Sequence, residues 1–238
     1  MTFGIIGAME EEIIYIKEKM EIIDTKNIIG TTVYRGKLNG NGVDVVLVRC
    51  GIGKVNAAVC TQMLIDLYNV GLVINTGVAG SMNKDVHLGD VVISTKLVHH
   101  DFDATAFGDD EPGAIPRMGV KFFEADKALC DIAYENATSI LSVLNAKAHN
   151  GIIATGDQFI SDAAVKERIA TLFNPLCVEM EGAAIAQACY LNNIPFIVIR
   201  AISDNSDGDT NTYDNYLEIA AMNSSSIVEK IIEAYTAN

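Results

Sequence analysis

Short apolar runs alternate with helix-periodic stretches along the whole chain, and this alternation restricts the fold more than any other feature. Residues 2–8 are apolar and bounded by glycine, after which Met9, Ile13, Ile16 and Met20 recur at helical spacing. Residues 31–38 and 43–49 flank Asn39-Gly40-Asn41-Gly42, a hairpin signal because these residues tolerate positive φ. A helix is expected from about residue 54 to 68, then strands at 72–76 and 90–97. A helix over 125–144 and a strand at 149–154 follow. Helix 162–172, strand 176–178, helix 181–192, strand 196–202 and a last helix from about Tyr213 complete the pattern. The expectation is one α/β domain over residues 1–238 with a mixed sheet. Residues 107–121 carry Pro112, Gly113, Pro116 and Gly119 without periodicity, the mark of a lid or a subunit contact.

A chain of 238 residues is long enough to bury such a sheet, and with half its residues hydrophobic and a fifth charged it is globular. Its net charge of −14 repels phosphate backbones and anionic lipid, so neither nucleic acid nor a membrane surface is an expected partner. No basic segment precedes the apolar residues 3–8, which therefore read as neither a signal peptide nor a membrane span. Cys50, Cys60, Cys130, Cys177 and Cys189 are odd in number and never spaced C-x-x-C. They read as reduced core residues of a cytoplasmic protein.

Three acidic motifs each follow a strand-like run: Ala-Met-Glu-Glu-Glu at 8–12, Val-Glu-Met-Glu-Gly at 178–182 and Arg-Ala-Ile-Ser-Asp at 200–204. Open α/β sheets bind ligands at the carboxyl ends of their strands, so the three are expected to converge there. Several carboxylates in one pocket suit acid–base chemistry on a neutral, sugar-like substrate. Glu181 stands 3, 4, 7 and 8 residues before Ala184, Ile185, Ala188 and Cys189, in line with an apolar stripe where an acid needs a hydrogen-bonding partner. A first-turn acid complementing the helix dipole would account for Glu179 or Glu181 singly. Asp204 reads as a ligand group or as a turn aspartate. Arg200, inside a strand, requires a carboxylate or a ligand. Among Glu10, Glu11 and Glu12, Glu12 lies nearest the apolar stripe by a small margin.

Other motifs fail. Gly51-Ile-Gly-Lys54 lacks the earlier glycine and the following Ser or Thr of a phosphate loop, and the third glycine of a dinucleotide fingerprint. Residues 203–214 half-match a calcium loop through Asn205, Asp207 and Gly208, but Ser replaces the first Asp, Asp the final Glu, and a strand stands where a helix is required. His99-His100-Asp101 with Asp103 has no matching cluster elsewhere, so a polar strand-end turn is expected rather than a metal site. No thiol nucleophile is expected, since Cys50 and Cys177 sit in strand-like runs.

Seven segments together resemble the 5′-methylthioadenosine/S-adenosylhomocysteine nucleosidases: 4–12, 50–58 (Cys-Gly-Ile-Gly-Lys-Val-Asn-Ala-Ala), 75–80 (Asn-Thr-Gly-Val-Ala-Gly), 101–108, 155–160 (Thr-Gly-Asp-Gln-Phe-Ile), 178–181 and 200–204. The likeness runs in order over almost the whole chain. It implies a three-layer α/β/α fold with a central mixed sheet, nucleoside phosphorylase-like, in a homodimer that needs no metal and no cofactor. The implied reaction cleaves the N-glycosidic bond of methylthioadenosine, S-adenosylhomocysteine and 5′-deoxyadenosine in methionine salvage. By resemblance, Asp204 protonates adenine N7, the backbone of Ile160 reads the adenine edge and Phe159 stacks on the ring. Glu181 resembles the residue holding the ribose hydroxyls, with Met180 beneath the sugar; Glu179 and Ser203 join the substrate contacts. Glu12 resembles the base that orients the attacking water, ionised beside Arg200. Met9 and Ile52 would line the pocket, and Ala104 and Phe107 would come from the partner subunit to the 5′-alkylthio end, opposite Tyr213. The sequence departs from the family at Val78, where many relatives have serine, and at Asp103-Ala104 and residues 108–118, which bear on the 5′-substituent.

Two rivals are a purine nucleoside phosphorylase and a non-catalytic nucleoside-binding protein. Phosphate needs a cationic cradle, yet the first turn carries Glu10–Glu12 and the arginines are Arg35, Arg49, Arg117, Arg168 and Arg200 alone. A binding protein has no need of both Glu12 and Asp204.

Overall fold

The computed structural model describes residues 1–38, 42–108, 111–207 and 210–237, with the side chains of residues 210 and 237 left aside. Ten strands form one mixed sheet. They are β1 (Thr2–Gly7), β2 (Met20–Ile28), β3 (Thr31–Leu38), β4 (Asp44–Arg49), β5 (Val70–Ser81), β6 (Val91–His99), β7 (Phe123–Glu124), β8 (Ala148–Thr155), β9 (Cys177–Glu179) and β10 (Phe196–Asp204). The helices are α1 (Glu10–Glu18), α2 (Lys54–Tyr68), α3 (Lys127–Ser142), α4 (Ala163–Phe173), α5 (Gly182–Asn192) and α6 (Thr210–Ala237). The sheet runs β10-β6-β8-β9-β5-β1-β4-β3-β2, with β7 beside β6 and a further pairing of β10 with β5. β1, β4, β5 and β10 are parallel neighbours, β2 and β3 pair antiparallel to theirs, and β9 runs antiparallel to β5 but parallel to β8.

Alternation along the inner strands sorts their side chains to two faces, as a period of two requires. Ile5, Val45, Leu47, Leu72, Ile74, Ile197 and Ile199 pack with α1, α3 and α6. Ile6, Val46, Val48, Val73 and Val198 pack with α2 and α5. Helices therefore cover both faces of the sheet, the three-layer arrangement expected.

Three expectations are corrected. Met20 does not end the first helix: α1 stops at Glu18 and Met20 opens β2, a strand the sequence reading omits. Its residues are mostly exposed at the sheet edge, so it shows no apolar alternation. β5 extends past Thr76 to Ser81, because β10 and β9 pair with its second half. Cys50 lies just beyond β4 rather than in it. The tight turn expected at 39–42 falls largely outside the described residues, although β3 and β4 pair antiparallel on either side of it. No helix among the described residues is long and apolar enough to cross a membrane.

Candidate active site

The carboxyl ends of β1, β5, β9 and β10 open into a cavity of about 360 Å³. Its walls hold Met9, Glu12, Ile52, Val78, Phe159, Glu179, Met180, Glu181, Ser203, Asp204 and Tyr213, which brings all three acidic motifs together. Asp214 adds a fifth acidic side chain to the lining, and among the described residues no basic side chain stands on these walls.

Glu12 is chosen over its neighbours by contacts distant in sequence. Its side chain is 2% exposed. Oε2 accepts the N–H groups of Ala8 (2.6 Å) and Met9 (3.0 Å), and Oε1 accepts that of Val78 in β5 (3.0 Å). Burial pushes its carboxyl above the usual range, against the pull of Arg200 and of these three amides.

Arg200 is wholly buried and stands behind the cavity wall rather than on it. Its Nε donates to Glu179 Oε2 (3.1 Å), its Nη2 also pairs with Glu179 and donates to Asn75 Oδ1 (2.6 Å), and Glu181 Oε2 lies 3.5 Å away. Nη1 has no hydrogen-bond partner among the described residues. A β-carbon on Gly77 would collide with this nitrogen and with Glu12 Oε1, which locates both against the same point of β5. Burial opposes the guanidinium charge, but Glu179, Glu12 and Glu181 outweigh it and raise its pKa.

Glu179 Oε2 also accepts the N–H groups of Glu181 (3.0 Å) and Gly182 (2.7 Å) at the start of α5. Thr155 donates its hydroxyl to Glu179 and accepts Ala183 N–H (2.8 Å), tying β8 to the same carboxylate. Glu181 ends at the cavity, its Oε1 accepting Gly53 N–H at 2.8 Å. Burial, reinforced by Glu179, pushes its carboxyl up to about 8.

At the end of β10, Asp204 is 5% exposed. Ser203 Oγ donates to its Oδ2 (2.9 Å) and Ser206 N–H to its Oδ1 (2.8 Å). Gly80 of β5 leaves space there, since a β-carbon would meet Ser206 Oγ and lie 2.7 Å from Asp204 Oδ1. Phe159 stacks edge-on against Tyr213 with ring centroids 6.0 Å apart, and burial pushes the Tyr213 hydroxyl up to about 12.

Ile160 is buried beside Met82, Val98 and Val178 rather than on the cavity wall. Ala104 and Phe107 lie away from this chain's cavity, in the segment after β6, with Phe107 85% exposed. Among the described residues no group of His, Cys, Asp and Glu is arranged to hold a metal ion. His99 Nε2 instead meets Gln187 Oε1 at 3.0 Å. Asn75, Gly77, Gly80 and Thr155 stand in segments that carry the family resemblance, but sequence reading gave them no role at the site. The pair of glycines inside an otherwise apolar strand is a further signal, since it marks close approach.

A family model described as the phosphorylase superfamily matches residues 2–233. A 5′-methylthioadenosine/S-adenosylhomocysteine nucleosidase of Halalkalibacterium halodurans is 42% identical over 231 residues, covering 96% of each chain. The chain belongs to this nucleosidase family. Within the family, a crystal structure from Colwellia psychrerythraea in complex with adenine is 41% identical, with a TM-score of 0.91 over 98% of this chain and 95% of that one. Futalosine hydrolase of Helicobacter pylori is also similar, 31% identical with a TM-score of 0.90 over 98% of this chain and 97% of that one. The nucleoside phosphorylase-like fold expected from the motifs is thus the fold the chain has.

Proposed function

We propose that the chain hydrolyses the N-glycosidic bond of 5′-methylthioadenosine and S-adenosylhomocysteine, with 5′-deoxyadenosine as a further substrate, as one domain over residues 1–238. The observation that carries this reading is the meeting of Glu12 and Asp204 in one cavity of a chain about 40% identical to such nucleosidases over nearly its whole length.

The C1′–N9 bond breaks with its electron pair passing to the adenine, and a protonated Asp204 delivers its proton to N7. Glu12 steers a water to C1′ from the other face and takes its proton, a task that a buried carboxyl raised in pKa suits. Two carboxylates on opposite faces parallel the inverting glycosidases. Glu181 holds the ribose hydroxyls over Met180, and Phe159 stacks on the adenine while the backbone of Ile160 reads its edge. Glu179 and Arg200 anchor Glu181 from behind, Ser203 orients Asp204, and Met9, Ile52, Val78 and Tyr213 bound the sugar and its 5′-substituent. In a homodimer, Ala104 and the exposed Phe107 of one subunit would complete the partner's site. Methionine salvage in the cytoplasm is the setting this reaction fits.

The lining argues for water over phosphate as acceptor, because phosphate needs a cationic cradle and the described residues of the wall are acidic, polar or apolar, with no basic side chain among them. Methylthioadenosine supplied with and without phosphate is the test, following adenine and the sugar product. Free methylthioribose in both arms is expected, and a ribose 1-phosphate product would overturn the reading in favour of a phosphorylase. Futalosine, run in parallel because of the Helicobacter pylori likeness, is expected to turn over more slowly than methylthioadenosine.

A further inference from the structure

Lys54, Asp101 and Asp157 close a ring of three hydrogen bonds that joins the start of α2 to the segments after β6 and β8. Lys54 Nζ donates to Asp101 Oδ1 (2.6 Å), Asp157 N–H donates to Asp101 Oδ2 (3.0 Å), and Lys54 N–H donates to Asp157 Oδ1 (2.8 Å). None of the three lines the cavity. Each nevertheless adjoins a segment that does. Lys54 follows Ile52, on the wall, and Gly53, whose N–H holds Glu181. Asp157 stands two residues before Phe159. Residues 157–159 are exposed, and on the Asp157 side of the loop, before Phe159 meets Tyr213 and Ile160 enters the core, polar contacts rather than buried side chains hold it.

The contacts leave little tolerance around the ring. Gly53 has φ 99, and a β-carbon there would lie 3.0 Å from Asp157 Oδ1. A β-carbon on Gly156 would collide with the His100 ring, so this loop lies flat against the strand end that carries Asp101. Lys54 and Asp101 are about a fifth exposed, 21% and 17%, which places their ion pair between the negligible surface case and the costly buried one. Burial raises the Asp101 carboxyl, but Lys54 and Asp157 N–H outweigh it and hold it below the usual range.

The geometry points to Lys54, Asp101 and Asp157 as positioning residues: their ring locks the Phe159 loop to the wall formed by Ile52, Gly53 and Glu181, fixing base and sugar contacts relative to each other. This inference rests on the proposed nucleosidase reading for its kinetic consequence but not for the ring itself. Asp157→Ala removes the acceptor for Lys54 N–H on an exposed side chain and leaves Glu12 and Asp204 untouched. It is expected to raise KM for methylthioadenosine about tenfold, the cost of one hydrogen bond, with kcat within about threefold. Asp157→Asn keeps an acceptor oxygen and is expected to restore KM. In the substrate-free full chain, amide hydrogens over 156–161 are expected to exchange faster in Asp157→Ala and in Asp101→Ala than in wild type. Unchanged KM in Asp157→Ala, failure of Asp157→Asn to restore it, or unchanged exchange would each overturn the inference. A wild-type chain that left methylthioadenosine intact would defeat the parent reading, and the exchange measurement would then decide the ring alone.

Discussion

Arg200 forms its buried ion pair with Glu179, while Glu12, expected as its neighbour at the water site, is held mainly by backbone amides. The one guanidinium therefore serves first to neutralise the carboxylate that anchors the start of α5, and only its unpartnered Nη1 is directed towards Glu12.

Removing Glu179 leaves a fully buried cation without its nearest counter-charge and its hydrogen-bonded partner. Glu179→Gln is expected to cost about 3–5 kcal/mol. For a chain of this size that lowers Tm by roughly 6–20 °C in a thermal unfolding scan. Arg200→Met in the same chain is expected to recover part of the loss, because no uncompensated charge then remains. A Glu179→Gln protein melting with the wild type would contradict the pairing.

Gly77 offers a sharper probe, since a single methyl group there meets Arg200 Nη1 and Glu12 Oε1 at once. Gly77→Ala is expected to cost about 1–3 kcal/mol through overpacking. Displacing Glu12 is expected to lower kcat by roughly 10²-fold or more. Denaturant titration and steady-state kinetics read the two effects separately.

Glu181 links stability to pH. Its folded pKa of about 8 lies above the ordinary carboxylate value of 4.5, so the native state keeps a proton that the unfolded chain releases. The stabilisation is complete below about pH 4.5 and is lost as pH rises through 8, with a slope of at most about 1.4 kcal/mol per pH unit. Glu12 acts in the same direction. Glu181→Gln is expected to flatten, without abolishing, the fall in Tm between pH 5 and 8. An equally steep fall in the variant would refute the assignment.

Asp204→Asn keeps one acceptor oxygen for Ser203 or Ser206 but removes the transferable proton. It is expected to lower kcat by roughly 10²–10⁴-fold while adenine still binds, as calorimetry would show. Near-normal turnover would remove Asp204 from the role of acid.

Much of this was legible in the sequence because buried strands declare themselves through apolar runs, and the acids stood at the ends of those runs. β2 was not legible, since its mostly exposed residues carry no alternation and Met20 happens to fall four residues after Ile16. The second half of β5 was hidden because Gly77 and Gly80 resemble a turn until the pairing with β10 and β9 is seen. Helical spacing favoured Glu12 only narrowly, and the decisive contact, Val78 N–H, comes from a different strand. Likewise, the core stripe drew attention to Glu181, whereas the deeper ion pair belongs to Glu179, whose partners lie 24 and 21 residues away. Ala104 and Phe107 lie away from this chain's cavity, and their proposed role rests on a second subunit, which spacing along one chain does not encode.

Gly77 and Gly80 give β5 a further property: the strand acts as a ruler for the proposed chemistry. Glu12 leans over the first glycine and Asp204 over the second, three residues along. At the rise of an extended chain this interval is roughly 10 Å. Inserting or deleting one residue between these glycines would turn one of the two contacts to the other face of the sheet, so the backbone of β5 itself fixes how the proposed proton donor and the proposed water-steering group stand to each other.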